Sequence, residues 1–144
     1  MKLVKVYSIV VLSTLLFSAC TSSKVSTATN VTPKTKSNLY TTEWKLVEDD
    51  NYVKGFRGDN VNLTIEDNSF KVTGYAGCNS YFTDATINGS AIKFNPIGRT
   101  KMSCPSLKVE NSFINMLEAV NRFEVKGNEL YFYKDNMLLL KFKN

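Results

Sequence analysis

A chain of 144 residues has room for one domain of ordinary size, and its 43% apolar and 22% charged content excludes disorder throughout. With no histidine and three cysteines, Ser-His-Asp and Cys-His centres, His-containing metal sites and a closed four-thiolate zinc site are all excluded, and one cysteine stays outside any intramolecular disulfide. The formal charge of +5 is a mild excess, short of the concentrated basic face of a nucleic-acid binder, so no nucleic-acid partner is expected.

Lys2 and Lys5 open the chain on positive charge, and Val6 to Phe17 follows as a largely apolar run of twelve residues. As a helix it would span about 18 Å, well short of the roughly 30 Å hydrocarbon core of a bilayer. Residues 1–19 therefore read as a signal peptide and not as a transmembrane anchor. The run ends in Leu16-Phe17-Ser18-Ala19-Cys20. Phe17 is too large for an ordinary cleavage site, which needs small residues there and at the last position before the cut. Small residues before a cysteine resemble a lipobox instead, with Cys20 as the lipid attachment site and new N-terminus. That assignment absorbs the odd cysteine. It leads us to expect an exported protein of the cell envelope, held to a membrane by a lipid anchor. Thr21 in place of Asp favours the outer membrane if the cell has one. Residues 20–40 are assigned to the lipidated cysteine and a flexible tether. From Thr21 to Asn38 the chain is rich in Ser and Thr, with almost no large apolar side chain to offset its ordering entropy.

The domain, residues 41–144, opens with period-two alternation. Trp44, Leu46 and Glu48 alternate with Glu43, Lys45 and Val47, and Val61, Leu63 and Ile65 alternate with Asn62, Thr64 and Glu66. Each reads as a strand with one buried face. Asp67-Asn68 is a turn signal before a strand over Phe70–Tyr75. Tyr81–Ile87 and Ala91–Ile97 flank Asn88-Gly89, a two-residue hairpin signal. Pro105 to Val120 breaks the alternation. Val109, Phe113, Met116 or Leu117, and Val120 recur at spacings of three or four, which predicts one helical face, with Pro105 in the first turn. Strands resume over Phe123–Lys126, Glu129–Tyr133 and Met137–Phe142, with turns at Gly127-Asn128 and Lys134-Asp135-Asn136. Phe70, Phe82, Phe94, Phe113, Phe123 and Phe142 read as core, while Tyr131, Phe132 and Tyr133 place aromatics on both sides of one strand. One helix cannot cover both faces of seven or eight strands. The expected class is α+β, mostly β: a curved antiparallel sheet, like a cracked barrel, with one helix packed across it.

Gly74-Tyr75-Ala76-Gly77-Cys78-Asn79-Ser80-Tyr81-Phe82 resembles the G-x-x-G-C-N-x-aromatic signature of the META domain family, which includes the HslJ-like bacterial lipoproteins. Thr100-Lys101-Met102-Ser103-Cys104 resembles its second signature, T-x-M-x-C. A Trp-x-Leu strand before them, a helix with Glu110, Phe113 and Leu117 after them, and three closing strands complete the resemblance over Thr41–Phe142. It implies a strongly curved antiparallel sheet with a helix across it. Members are linked to envelope stress, drug tolerance and, in some pathogens, virulence or secretion. The resemblance brings no catalytic residues and no cofactor.

With Cys20 assigned to lipid, Cys78 and Cys104 remain. In an oxidising compartment they are expected to pair as a disulfide, the alternative being two buried thiols that pack as small apolar groups. Gly74, Gly77 and Asn79 read first as a structural turn. A sharper reading has Asn79, Tyr81, Arg99, Thr100 and Met102 lining a shared recognition surface beside the cysteines. Asp49-Asp50 and Glu66-Asp67 read as solvated turn residues, and no phosphate-cradling glycine loop is present. No metal site, cofactor or catalytic residue is expected. The leading expectation is a non-enzymatic envelope lipoprotein that binds a protein or peptide partner in stress protection. The rivals are a lipid-binding or secretion pilot or chaperone-like lipoprotein using the open barrel, and a hydrolase, for which no activated nucleophile is visible.

Overall fold

Apolar side chains at every second position drive the chain into strands, and the computed structural model describes the outcome for residues 38–144. The expected signal segment 1–19, Cys20 and the tether as far as residue 37 lie outside the described residues. In chain order the elements are β1 (Trp44–Glu48), β2 (Asn51–Tyr52), β3 (Asn62–Ile65), β4 (Lys71–Tyr75), β5 (Ser80–Asn88), β6 (Ala91–Phe94) and β7 (Gly98–Arg99). They continue with α1 (Lys108–Ala119), β8 (Arg122–Lys126), β9 (Glu129–Lys134) and β10 (Met137–Lys143).

The antiparallel order runs β10-β9-β8-β6-β5-β4-β3-β1, and β1 pairs back onto β10 through Lys45–Lys143, Leu46–Phe142 and Val47–Lys141. The sheet is thus ring-like, as expected, but not a regular barrel. Its weak seam is β6–β8, joined in register only at Ala91–Arg122. β5 organises one side. Lys71–Tyr75 pairs with Ser80–Asp84 along one edge. On the other edge β6 pairs with Ala85–Asn88, and β7 pairs with Tyr81 and Phe82. The two-residue strands β2 and β7 raise the expected seven or eight strands to ten. The strand expected over Ala91–Ile97 ends at Phe94, and the hairpin loop is Gly89-Ser90, one residue later than expected.

Inward-facing positions fill the ring. Trp44, Val61, Leu63, Ile65, Val72, Leu130, Phe132 and Phe142 are all fully buried. A chain of edge-to-face rings crosses the interior: Tyr81–Phe113 at 5.5 Å, Phe113–Phe142 at 6.4 Å, Phe142–Phe132 at 5.5 Å and Phe132–Phe94 at 5.6 Å. Each such pair is worth about 0.5–1.5 kcal/mol beyond its buried area. Phe82 departs from the expected core set. It is 59% exposed, because strand alternation puts it opposite Tyr81 and Thr83. The domain also begins before residue 41. Leu39 is buried and accepts a hydrogen bond from Trp44 Nε1 at 3.1 Å, and Tyr40 bridges to Ile65.

The helix starts later than its sequence pattern suggests. Residues 100–107 form an irregular approach with a bend at Pro105, so Pro105 precedes α1 instead of occupying its first turn. Its buried face is Glu110, Phe113, Ile114 and Leu117, while Val109 is 41% exposed. The apolar stripe is therefore rotated away from Val109, and a carboxylate takes its place in the interior. Val120, extended and buried, leads the chain into β8.

Candidate functional site

The Gly74–Asn79 turn is built for close approach. Gly74 lies against the Asn62 carbonyl and the Tyr81 ring, where a Cβ has no room. Gly77 holds φ at +117°, a conformation that side-chain-bearing residues rarely adopt. The Ala76 N–H donates to the Asn79 carbonyl at 2.9 Å and closes the turn. Cys78 and Cys104 form a disulfide, with Cα atoms 6.3 Å apart. The bond ties the turn to the irregular segment ahead of α1, as expected, and the alternative of two free thiols falls away.

Asn79 is the centre of this arrangement. Asparagines in turns commonly bond their own local backbone, but this side chain reaches across the fold. Its Oδ1 accepts from the Met102 N–H at 2.7 Å and the Thr100 hydroxyl at 3.0 Å. Its Nδ2 donates to both Glu110 carboxylate oxygens, at 3.1 and 3.2 Å. Its backbone N–H donates to Glu110 Oε2 at 2.7 Å. Arg99 Nη1 donates to Glu110 Oε1 at 3.0 Å and to Asn111 Oδ1 at 3.1 Å. Glu110 is 2% exposed and Asn79 3%. A carboxylate that deep is tolerable only when paired and hydrogen-bonded, and this one is both. It also stands in the first turn of α1, where the helix dipole favours negative charge.

Both signatures thus meet in one buried polar knot. The structure brings Asn79, Arg99, Thr100 and Met102 together beside the disulfide. Tyr81 is the correction to the expected surface. It is 1% exposed, packs on Phe113 and donates its hydroxyl to the Asn62 carbonyl at 3.1 Å. Burial pushes its phenol above the usual tyrosine range. Asn79 is interior too, and acts by holding the loop that carries the accessible Arg99, Lys101 and Met102. Glu110 is the residue whose role the sequence reading missed. Its signal was present: Glu110, Phe113 and Leu117 share a spacing of three and four, which puts a carboxylate on the apolar face.

One cleft borders the knot at Cys78 and Met102, and a second lies along α1. The first, of about 500 Å³, is lined by Arg57, Asp59, Asn60, Tyr75 and Met102 among others. The other, an apolar groove of about 520 Å³ between α1 and the β1–β10 pair, is lined by Val47, Val53, Val109, Met116 and Leu139 among others. Among the described residues, no three His, Cys, Asp or Glu side chains are grouped to hold a metal ion. The Glu110 oxygens are engaged by Asn79 and Arg99, which leaves the knot suited to holding shape and unsuited to general-base work.

A META domain family model matches residues 37–144. No curated protein matches the chain. Among solved structures, the NMR structure of a protein from Burkholderia xenovorans is 22% identical with a TM-score of 0.56, over 73% of this chain and 82% of that one. A second NMR structure is 13% identical with a TM-score of 0.53, over 70% and 86%. At these identities the likeness is one of fold alone.

Proposed function

This chain belongs to the META domain family, and we propose that it works as a non-enzymatic envelope lipoprotein, anchored through Cys20, that binds a protein or peptide partner in envelope stress protection. The observation that carries this reading is the Asn79–Glu110–Arg99 knot. Its polar groups are spent on one another, and their net effect is to fix the 99–104 segment in place. A site whose buried signature residues spend their polar groups on one another and on shaping a loop is a binding site before it is a reactive one. The basic start, the short apolar run and Ser18-Ala19-Cys20 support the anchor. Five of the 18 Lys and Arg residues precede residue 38, which leaves thirteen against thirteen acids in the domain. That balance supports a partner other than nucleic acid.

Crosslinking in living cells from a photoreactive residue at Lys101 of the full chain tests the binding role. Discrete adducts that disappear with Asn79→Ala are expected, and adducts indifferent to Asn79→Ala would remove it. Mass spectrometry of the mature N-terminal peptide tests the anchor, with a diacylglyceryl Cys20 expected. The groove beside α1 favours a second reading, lipid or secretion-component binding. The ring interior is filled by Trp44, Phe132 and Phe142, so an acyl chain would lie in the external groove and not inside the barrel. Native mass spectrometry showing no bound lipid beyond the anchor would count against it.

A further inference from the structure

Around the disulfide, exposed apolar side chains gather from three separate segments. Phe56 is 59% exposed, Val109 41%, Met102 40% and Leu107 39%. The signature turn draws them together. The Phe56 N–H donates to the Gly77 carbonyl at 2.6 Å. Val109 lies over Gly77, its Cγ1 3.1 Å from where a Cβ would stand. Met102 is held through its N–H by Asn79, and its sulfur meets the Arg57 guanidinium at 3.9 Å. Leu107 caps α1 three residues after the disulfide-bonded Cys104. Single exposed apolar residues are ordinary, but a cluster on one rigid turn marks an interaction surface.

Cations interleave with this cluster. Lys54, Arg57, Lys101 and Lys108 are exposed, and none forms a salt bridge among the described residues. Asp59 is the only acid within residues 53–59 and 99–109. Since the domain as a whole is balanced, the positive charge here is local.

Building on the binding role proposed above, we infer that this face docks a peptide segment whose apolar side chains are flanked by Asp or Glu. The apolar residues supply the buried contact, and Arg57 with Lys101 and Lys108 receives the carboxylates. Concavity favours a peptide over a flat anionic bilayer. Arg57 and Met102 also wall the 500 Å³ cleft, a recess that a peptide side chain can enter and a flat bilayer surface cannot follow. The disulfide and the Asn79 knot hold Met102 and Leu107 in place beforehand, so docking spends little on ordering them.

The test selects binders from a displayed library of random short peptides against the full chain in detergent. Enriched peptides are expected to place Leu, Phe or Trp beside Asp or Glu. They should bind Arg57→Glu/Lys101→Glu and Phe56→Ser/Val109→Ser about ten-fold or more weakly, with melting temperatures unchanged. Binders that lack acids, or that ignore both double variants, overturn this surface and leave the binding role standing at another. A library that yields no binder overturns both. In a second arm, full-chain Phe56→Trp is reconstituted in phosphatidylethanolamine–phosphatidylglycerol vesicles with brominated acyl chains. Trp44 is fully buried, so the introduced indole reports the face. Unquenched emission supports the peptide surface, and quenching overturns it in favour of a bilayer.

Discussion

The Asn79 amide N–H donates to the Glu110 carboxylate at 2.7 Å, across 31 positions of sequence. One residue belongs to a turn between strands and the other to the first turn of the helix. The bond makes turn and helix a single unit, and the 99–102 segment is then clamped between them by Arg99 and by the Asn79 side chain.

Asn79→Ala removes an acceptor from the Met102 N–H and a donor from a buried carboxylate. Unsatisfied buried groups of this kind cost about 1–3 kcal/mol each, so a loss of about 3 kcal/mol is expected. Asn79→Asp should be at least as damaging at neutral pH, since it sets a second carboxylate against Glu110. Urea midpoints at pH 7 check this. An Asn79→Asp midpoint equal to wild type would show that the knot is not what holds the turn.

Arg99 and Glu110 should be energetically coupled. Glu110→Ala is expected to cost about 3 kcal/mol, because it strips partners from two elements at once. Arg99 is partly open to water, which can replace it in part, so Arg99→Ala should cost only about 1–2 kcal/mol. A double-mutant cycle measures the coupling, and a coupling energy indistinguishable from zero would make the ion pair ornamental.

Opening the Cys78–Cys104 bond frees a loop with a sequence separation of 26. The chain-entropy argument puts that at about 3.5 kcal/mol. Unfolding in dithiothreitol, compared with unfolding without it, should show a markedly lower midpoint. Coincident curves would mean that the bond contributes nothing to stability.

Acid stability should be traceable to Glu129. The Tyr131 hydroxyl and the Lys141 ammonium both donate to its carboxylate and hold it below the ordinary value of 4.5. A depressed carboxylate stabilises the folded state above its unfolded value, and that contribution fades as pH falls below about 4.5 and through the folded value. Glu129→Gln should therefore cost stability at pH 7 and progressively less towards pH 3. A cost that does not change with pH would contradict the assignment.

Where side chains alternate, the strands could be read directly. Val61, Leu63 and Ile65, or Leu130 and Phe132, carry their own address in their spacing. Four features carried no such signal. The strands β2 and β7 are too short to show a period, and they exist because β1 and β5 offer them an edge. The pairing of β1 with β10 joins strands about ninety positions apart, which no local pattern encodes. Phe82 looked like core because it is aromatic, yet its parity in β5 points it outward. The helix starts only at Lys108, past the disulfide-bonded Cys104 and the bend at Pro105, and a propensity argument cannot anticipate that tether. In the site, the two signatures marked Asn79, Thr100 and Met102 as neighbours. Their buried partner Glu110 has no role legible in the sequence, since a carboxylate on an apolar face makes sense only once the group opposite it is known.

Ring closure has a consequence in time. β1 finds β3 soon after it emerges, but the edge that β10 covers must wait for Met137–Lys143. A chain delivered N-terminus first therefore cannot close this ring before β10 has been delivered. Until Met137–Lys143 arrives, β1 and β9 each present an open edge, the kind of surface that recruits other strands. Ring closure comes after every other strand pairing, and the seven residues Met137–Lys143 act as the latch.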